Sequence, residues 1–227
     1  GALNTARGYL AGTGIQTAAL AFGGNLPPVT GATESYNGTN WTSVNSLNTA
    51  VKGLAAAGTT TSALAFGGVR TPKALTELWN GTNWTEVNDL TTARSYLSGC
   101  GASNTAALAF GGDAPVAGSA LTETWNGTNW TEVGDLNTGR QMLGASTNGT
   151  TTSTLAFGGA TGYTPSALTE SYNGTSWTEV GDMVSGRRRL GGAGTSNTSA
   201  LAFGGAPGIA ATEEWSFAGG IKTIDTD

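Results

Sequence analysis

The chain has 227 residues, a length that suffices for one sizeable hydrophobic core or two smaller ones. Charged residues make up only 11% of the composition and the formal net charge is -5, so the chain lacks the basic surface that contact with a phosphate backbone requires. One cysteine, Cys100, and no histidine exclude an internal disulfide, most zinc sites and the commonest general base. We therefore expect a protein that binds no nucleic acid, no metal ion and no cofactor.

The sequence also predicts no membrane insertion. No stretch approaches the roughly 18 consecutive apolar residues of a membrane span, and the first five residues lack the charged and apolar regions of a signal peptide. The chain starts inside a repeat motif and has no initiator methionine, which favours a processed chain or a segment of a longer protein. Any export signal would then lie outside it.

Three sequence phrases recur along the chain. The first, Leu-Ala-Phe-Gly-Gly, occurs five times at spacings of 44, 44, 47 and 46 residues. The second, Thr-Glu-x-aromatic, follows each copy, and the third, Asn-Gly-Thr-x-Trp-Thr, occurs four times and degenerates in the fifth copy. A period of this length indicates a propeller or solenoid of repeated supersecondary units. The second glycines of the first phrase are Gly24, Gly68, Gly112, Gly159 and Gly205.

Each repeat is predicted to form four short strands. In the second repeat these are residues 54–58, 63–66, 75–79 and 84–87, because small and apolar runs alternate with polar turn signals. Asn80-Gly81 predicts a type I′ hairpin turn, in which both central residues adopt positive φ. Abundant Gly, Thr and Asn, without a 3.6-residue apolar period, argue against helix.

Five four-stranded units predict an all-β fold, a five-bladed β-propeller closed into a ring, with residues 1–227 as a single domain. The expected blades span approximately residues 6–49, 50–92, 93–138, 139–185 and 186–227. An open solenoid is the alternative, but it would need terminal repeats with polar caps, which the sequence does not show. The isolated domain is expected to be a monomer.

The repeat resembles the kelch repeat, on an apolar strand that ends in Gly-Gly, an aromatic residue about twelve positions later, then a tryptophan and an arginine. The amino-acid sequence of the repeat is similar to that of kelch-like repeats in structural proteins of phages. The resemblance covers almost the whole chain and implies a binding or structural module in a virion or on another extracellular surface. Kelch propellers usually have six or seven blades, and many share a blade between the chain ends, so five blades leave the closure mechanism open.

Five glutamates and four arginines recur at fixed repeat positions, and Val51 interrupts the arginine series. We hypothesise that they pair within or between blades and hold the loops in place by charge-assisted hydrogen bonds. The loops between the second and third strands vary, and they share a rim with the arginine turns, so this rim is the predicted binding surface. The candidate binding residues on it are Arg7, Arg70, Lys73, Arg94, Arg140, Tyr163 and Arg187.

No catalytic constellation is predicted. Cys100 falls on an inner strand without a histidine to activate it, and the recurring Asp89, Asp135 and Asp182 are interpreted as turn caps rather than calcium ligands. We expect a non-enzymatic module that binds a protein or glycan partner. The alternative is a multivalent lectin with sugar pockets between the blades.

Overall fold

The computed structural model describes residues 1–69, 74–114, 118–208, 210–216 and 220–224, the last five as backbone only. These described residues form β-strands and turns without any helix. Accordingly, no described segment is a helix that could cross a membrane. The strands build five four-stranded antiparallel sheets, which are the blades of a β-propeller ring.

Every blade takes its four strands from one continuous stretch of the chain. The first blade contains β1 (Ala11–Ile15), β2 (Ala18–Phe22), β3 (Thr33–Tyr36) and β4 (Trp41–Val44). The second contains β5 (Ala55–Gly58), β6 (Ala63–Phe66), β7 (Thr76–Trp79) and β8 (Trp84–Val87), and the third contains β9 (Ser98–Ser103), β10 (Ala106–Phe110), β11 (Thr122–Trp125) and β12 (Trp130–Val133).

The fourth blade contains β13 (Gly144–Ala145), β14 (Thr154–Phe157), β17 (Thr169–Tyr172) and β18 (Trp177–Val180), and its variable loop carries the small hairpin β15 (Ala160–Thr161) and β16 (Thr164–Pro165). The fifth contains β19 (Gly191–Ser196), β20 (Ser199–Phe203), β21 (Thr212–Ser216) and β22 (Gly220–Ile224). Because the first and last blades are each contiguous, the ring closes without strand exchange.

The second strand of each blade ends at Phe-Gly-Gly because the backbone there needs glycine. Gly23 has a φ of 68°, and a Cβ added to it would lie 2.7 Å from the Val51 carbonyl oxygen. A side chain at this position would therefore meet backbone from the segment that leads into the next blade. This explains why the phrase recurs in every repeat.

The Asn-Gly hairpins are confirmed, but the predicted type I′ geometry is wrong. Trp79 pairs with Trp84, so the loop contains four residues, and only Gly81 of these has positive φ. The Asn80 Oδ1 atom accepts hydrogen bonds from the amides of Thr82 and Asn83, at 3.0 and 2.9 Å. An asparagine side chain thus completes the turn in place of a second residue at positive φ.

Aromatic side chains fill the three junctions between the first four blades. The ring of Phe66 in the second blade packs on Trp130 of the third, with 4.9 Å between ring centres. Trp130 Nε1 also donates a hydrogen bond of 3.0 Å to Thr76 Oγ1 across the junction. The equivalent tryptophans are Trp84, which bonds Thr33, and Trp177, which bonds Thr122.

The junctions on both sides of the fifth blade have a different composition. In the fifth blade Ile221 stands opposite Trp215, where the other blades have the tryptophan, so the junction with the fourth blade lacks that residue. At the junction with the first blade, Phe203 is 42% exposed, whereas its counterpart Phe22 is fully buried. Arg189 of the fifth-blade segment lies over the Tyr9 ring, and Asn148 of the fourth blade bonds the Gly14 carbonyl oxygen of the first.

The three recurring aspartates cap strands, which confirms the turn interpretation. Asp135 Oδ1 accepts a hydrogen bond of 2.9 Å from the amide of Thr122, the first residue of β11 in the same blade. Asp89 and Asp182 make the same bond to Thr76 and Thr169.

Candidate functional site: an axial pocket

One residue per blade adopts the left-handed backbone conformation directly before the first strand. Four of these residues are not glycine, and no other non-glycine residue in the described part of the chain has positive φ. Such a conformation costs a bulky side chain roughly 1 to 3 kcal/mol and is often found at binding sites. The five residues, with φ between 53° and 63°, are Tyr9, Gly53, Tyr96, Met142 and Arg189.

Backbone hydrogen bonds connect these five positions around the propeller axis. The Gly53 amide donates to Tyr9 O at 2.9 Å, and the Tyr96 amide donates to Gly53 O at 2.7 Å. The Met142 amide then donates to Tyr96 O, and the Arg189 amide donates to Met142 O, both at 2.8 Å. Because each bond joins one blade to the next, the five residues surround one end of the axis.

These residues line an open pocket of about 330 Å³, which we call the axial pocket. Its size is at the lower end of the range of small-ligand sites. The leucine that follows each left-handed residue also lines it and supplies the apolar surface. These leucines are Leu10, Leu54, Leu97, Leu143 and Leu190.

Two tyrosines and one arginine give the pocket its chemistry. The rings of Tyr9 and Tyr96 meet edge to face with 6.1 Å between their centres, and the Arg189 guanidinium carbon lies 5.6 Å from the centre of the Tyr9 ring. Gly53 leaves the space for this arrangement, because a Cβ there would lie 2.8 Å from Tyr96 Cε1. The pocket thus combines aromatic faces with an exposed cation.

The Tyr96 hydroxyl is a neutral donor at physiological pH. Burial raises the pKa of Tyr96 above the ordinary tyrosine value, and the nearby Tyr9 and Asp113 raise it further, while Arg189 opposes the change. A hydroxyl and a guanidinium can donate hydrogen bonds to a carboxylate or to sugar hydroxyls, and the rings can stack on an apolar face. The arrangement suits binding.

The predicted variable-loop rim surrounds this pocket. Gln141 Nε2 donates to the Gly162 carbonyl oxygen at 3.3 Å, and Arg188 Nη1 donates to Tyr163 O at 3.1 Å, so loop and pocket segments are joined. Tyr163 is 88% exposed on this rim, on the hairpin of the fourth blade. The predicted binding residues Arg70 and Lys73 lie outside the described residues.

The other predicted binding residues point into the protein. The Arg94 side chain is fully buried and its Nη2 atom lies 2.9 Å from Glu123 Oε1. The same pairing occurs in three further blades, which confirms the glutamate–arginine hypothesis for four of the five glutamates. A direct binding role for these arginines stays a prediction, and burial does not favour it. The remaining pairs are Arg7–Glu34, Arg140–Glu170 and Arg187–Glu213.

Each carboxylate also holds the segment that connects two blades. Glu170 Oε2 accepts hydrogen bonds from the backbone and side-chain nitrogens of Asn137, at 2.7 and 2.9 Å. Burial lowers the pKa of Arg140, and the charge of Glu170 acts in the opposite direction. These pairs therefore fasten the loops from inside, as the hypothesis expected.

Sequence reasoning missed the axial pocket. Its residues occupy the position before the recurring leucine, and this position reads Tyr, Gly, Tyr, Met and Arg in the five repeats. A position that varies between otherwise similar repeats was the available signal. The positive φ that brings these side chains together was not readable, because only one of the five is glycine.

Cys100 is a core residue of β9. Burial raises the pKa of its thiol to about 12, so the thiol stays protonated at neutral pH. Among the described residues, no group of three Cys, Asp or Glu side chains is arranged to hold a metal ion. The prediction of an inner-strand position is confirmed.

No protein-family model matches this sequence, and the search of curated proteins found no similar one.

Proposed function

We propose that the chain is a non-enzymatic binding module of the kelch-like propeller type, a component of a virion or of another extracellular surface. It engages a protein or glycan partner at the rim that carries the variable loops. The observation that carries the proposal is the axial pocket, where four bulky residues adopt a strained conformation at a repeat position that varies. Selection for folding alone would place glycine there.

The positions of the reactive groups support the non-enzymatic part of this proposal. Glu123 and Glu170 neutralise buried arginines, and the Cys100 thiol is protonated in the core. Within the axial pocket, the described titratable groups are Tyr9, Tyr96 and Arg189, which suit recognition of an anionic or hydroxyl-rich group. These features support binding without chemistry.

The lectin alternative, with one sugar pocket at each junction, fits the observed packing less well. Aromatic pairs such as Phe110–Trp177 occupy the three junctions between the first four blades, and two cavities elsewhere in the blades have volumes of about 10 Å³, enough for one water molecule. A wide cleft of about 660 Å³ opens beside the first blade, where Trp41 and Ala193 line it, so the junctions do not form five equivalent pockets. A single axial pocket predicts one ligand per chain. Calorimetric titration with a bound ligand tests this, since a stoichiometry near five would favour the lectin.

The binding proposal is tested on arrays of glycans and of surface-displayed peptides. The purified chain is compared with Arg189→Ala, which alters the pocket, and with Tyr163→Ala, which alters an exposed loop residue of the same rim. We expect Arg189→Ala to reduce binding at least tenfold and Tyr163→Ala to reduce it less, because Tyr163 lies on the rim outside the pocket. Binding lost only in Tyr163→Ala would move the site to the loops, and no binding on either array would contradict the proposal.

A further inference from the structure

A buried site that holds an arginine guanidinium group recurs in four blades. In the third blade Arg94 places Nη1 3.0 Å from the Gly111 carbonyl oxygen, also bonds Leu121 O, and pairs with Glu123. In the fourth blade Arg140 makes the same contacts with Gly158 O, Leu168 O and Glu170. One guanidinium thus satisfies two carbonyl oxygens and one carboxylate.

The second blade keeps the acceptors of this site but lacks the arginine, because Val51 stands at that position. The equivalent carbonyl residues are Gly67 and Leu75, by their places at the ends of β6 and β7. Together with Val51 and Glu77, and with apolar residues such as Leu47 and Leu54, they line a small cavity of about 10 Å³. This volume corresponds to one water molecule or one small ion.

Glu77 is the carboxylate that lines this cavity, and three hydrogen bonds from Asn48 and Thr49 hold it in place. It is only 4% exposed and accepts hydrogen bonds from the Asn48 amide at 2.8 Å and the Thr49 amide at 3.0 Å. No described residue forms an ion pair with it, whereas its four counterparts each have an arginine. Burial raises the pKa of Glu77, and the nearby Glu86 raises it further.

A buried carboxylate without a counter-charge is costly, and a cation that reaches it is stabilised. Carboxylate and carbonyl oxygens are hard ligands that suit alkali cations or ammonium. A single carboxylate and a one-water volume favour a monovalent ion over a larger or more highly charged one. We propose that the second blade binds one small monovalent cation, sodium, potassium or ammonium, beside Glu77 in the place of the missing guanidinium.

The test measures the thermal midpoint Tm at pH 7 and constant ionic strength, in chloride salts of sodium, potassium, ammonium or tetramethylammonium. Tetramethylammonium is too large for the cavity and serves as the reference cation. For the wild type we expect at least one small cation to raise Tm, by about 3 °C for each tenfold excess over its dissociation constant. Equal Tm values in all four salts would overturn the proposal.

Three variants assign the effect to this cavity. Val51→Arg supplies the guanidinium and should abolish the cation dependence, and Glu77→Gln should abolish it by removing the charge. Val51→Ala is the matched control, because it keeps Glu77 and the cavity and should retain the dependence. A dependence that persists in Glu77→Gln would place the cation elsewhere and contradict the proposal.

Arg70 and Lys73 follow β6 in the sequence and lie outside the described residues, so Arg70→Ala and Lys73→Ala are tested in the same salts. If the small-cation effect is absent in the wild type and arises only when one of them is removed, that side chain already neutralises Glu77 and the proposal is wrong. An effect of equal size in the wild type and in both variants supports the inference.

Discussion

Four non-glycine residues that the structure describes have positive φ, and they occupy a position at which the five repeats differ from one another. Arg189 has a φ of 56° and an exposed side chain, and its described contact in the pocket is with the Tyr9 ring. Glycine relieves the left-handed strain at such a position, although it adds flexibility to the unfolded chain. The arginine therefore contributes little to stability, and binding is the better explanation for it.

This gives a prediction for Arg189→Gly. We expect the free energy of unfolding to stay constant or rise by up to about 1 kcal/mol, since strain is removed and only one exposed cation–π contact is lost. Urea denaturation measures this change, while the array signal should fall as it does for Arg189→Ala. A loss of more than about 1 kcal/mol would mean that Arg189 is a structural residue.

Glu77 gives a pH-dependent prediction. Its raised pKa means that the folded state holds the proton more tightly, so the stabilisation is full below the ordinary pKa of 4.5. It is lost as the pH rises through the pKa of Glu77 in the folded state. In tetramethylammonium buffers, the stability of the wild type relative to Glu77→Gln should therefore fall across this range. A constant difference in urea denaturation would show that Glu77 does not titrate in this way.

At the residue scale, the repeated ion pairs could be predicted because glutamate and arginine recur in register. Their burial could not, and it places the four arginines inside the ring although the sequence also suggested them as binding residues. Loop-facing and core-facing side chains look alike when both follow a turn. Whether an arginine is buried depends on the number of acceptors around its guanidinium group. Several of these acceptors are carbonyl oxygens of residues distant in the chain, and they leave no pattern in the sequence.

At the scale of the strands, three of the junctions depend on a tryptophan from one blade and a threonine from the previous one. Trp177 Nε1 donates to Thr122 Oγ1 at 3.0 Å, and both residues are buried. Thr169 occupies the same position in the fourth blade, but its buried Oγ1 atom has no hydrogen-bond partner among the described residues. The tryptophan that would bond Thr169 is absent, because the fifth blade has Ile221 at that register position.

The two threonines therefore respond differently to the same change. Thr122→Val leaves the Trp177 indole N–H without an acceptor and should cost about 1 to 3 kcal/mol of unfolding free energy. Thr169→Val removes a polar atom that already lacks a partner and should be neutral or stabilising. Urea denaturation of both variants checks this contrast, and equal losses would refute the assigned role of the tryptophan bond.

Strand positions followed well from the sequence, since predicted residues 63–66 and 84–87 are the observed Ala63–Phe66 and Trp84–Val87. The turn type did not, because the Asn80 side chain competes with the backbone for the same amides. Hydrophobic period and glycine position determine where a strand begins and ends. The Asn-Gly dipeptide predicts a type I′ turn, but that prediction does not take into account hydrogen bonds between the asparagine side chain and the backbone amides.

At the scale of the whole molecule, five similar units surround one axis, and their symmetry is broken where the repeat itself varies. The blade number was predictable from the count of repeats, and the strand order from their antiparallel pattern. The axial pocket was not, because it forms only when one residue from each blade meets at the axis. A repeat scaffold with a unique centre is well suited to bind one ligand.

The two methionines of the chain offer a direct test of the axial pocket. Met142 lines the pocket, whereas Met183 is a buried residue of the core between the fourth and fifth blades. With methyl-¹³C-methionine the protein should give two NMR signals, and a ligand identified on the arrays should shift the Met142 signal and leave that of Met183 unchanged. A bound ligand that leaves the Met142 signal in place would contradict the axial pocket as the binding site.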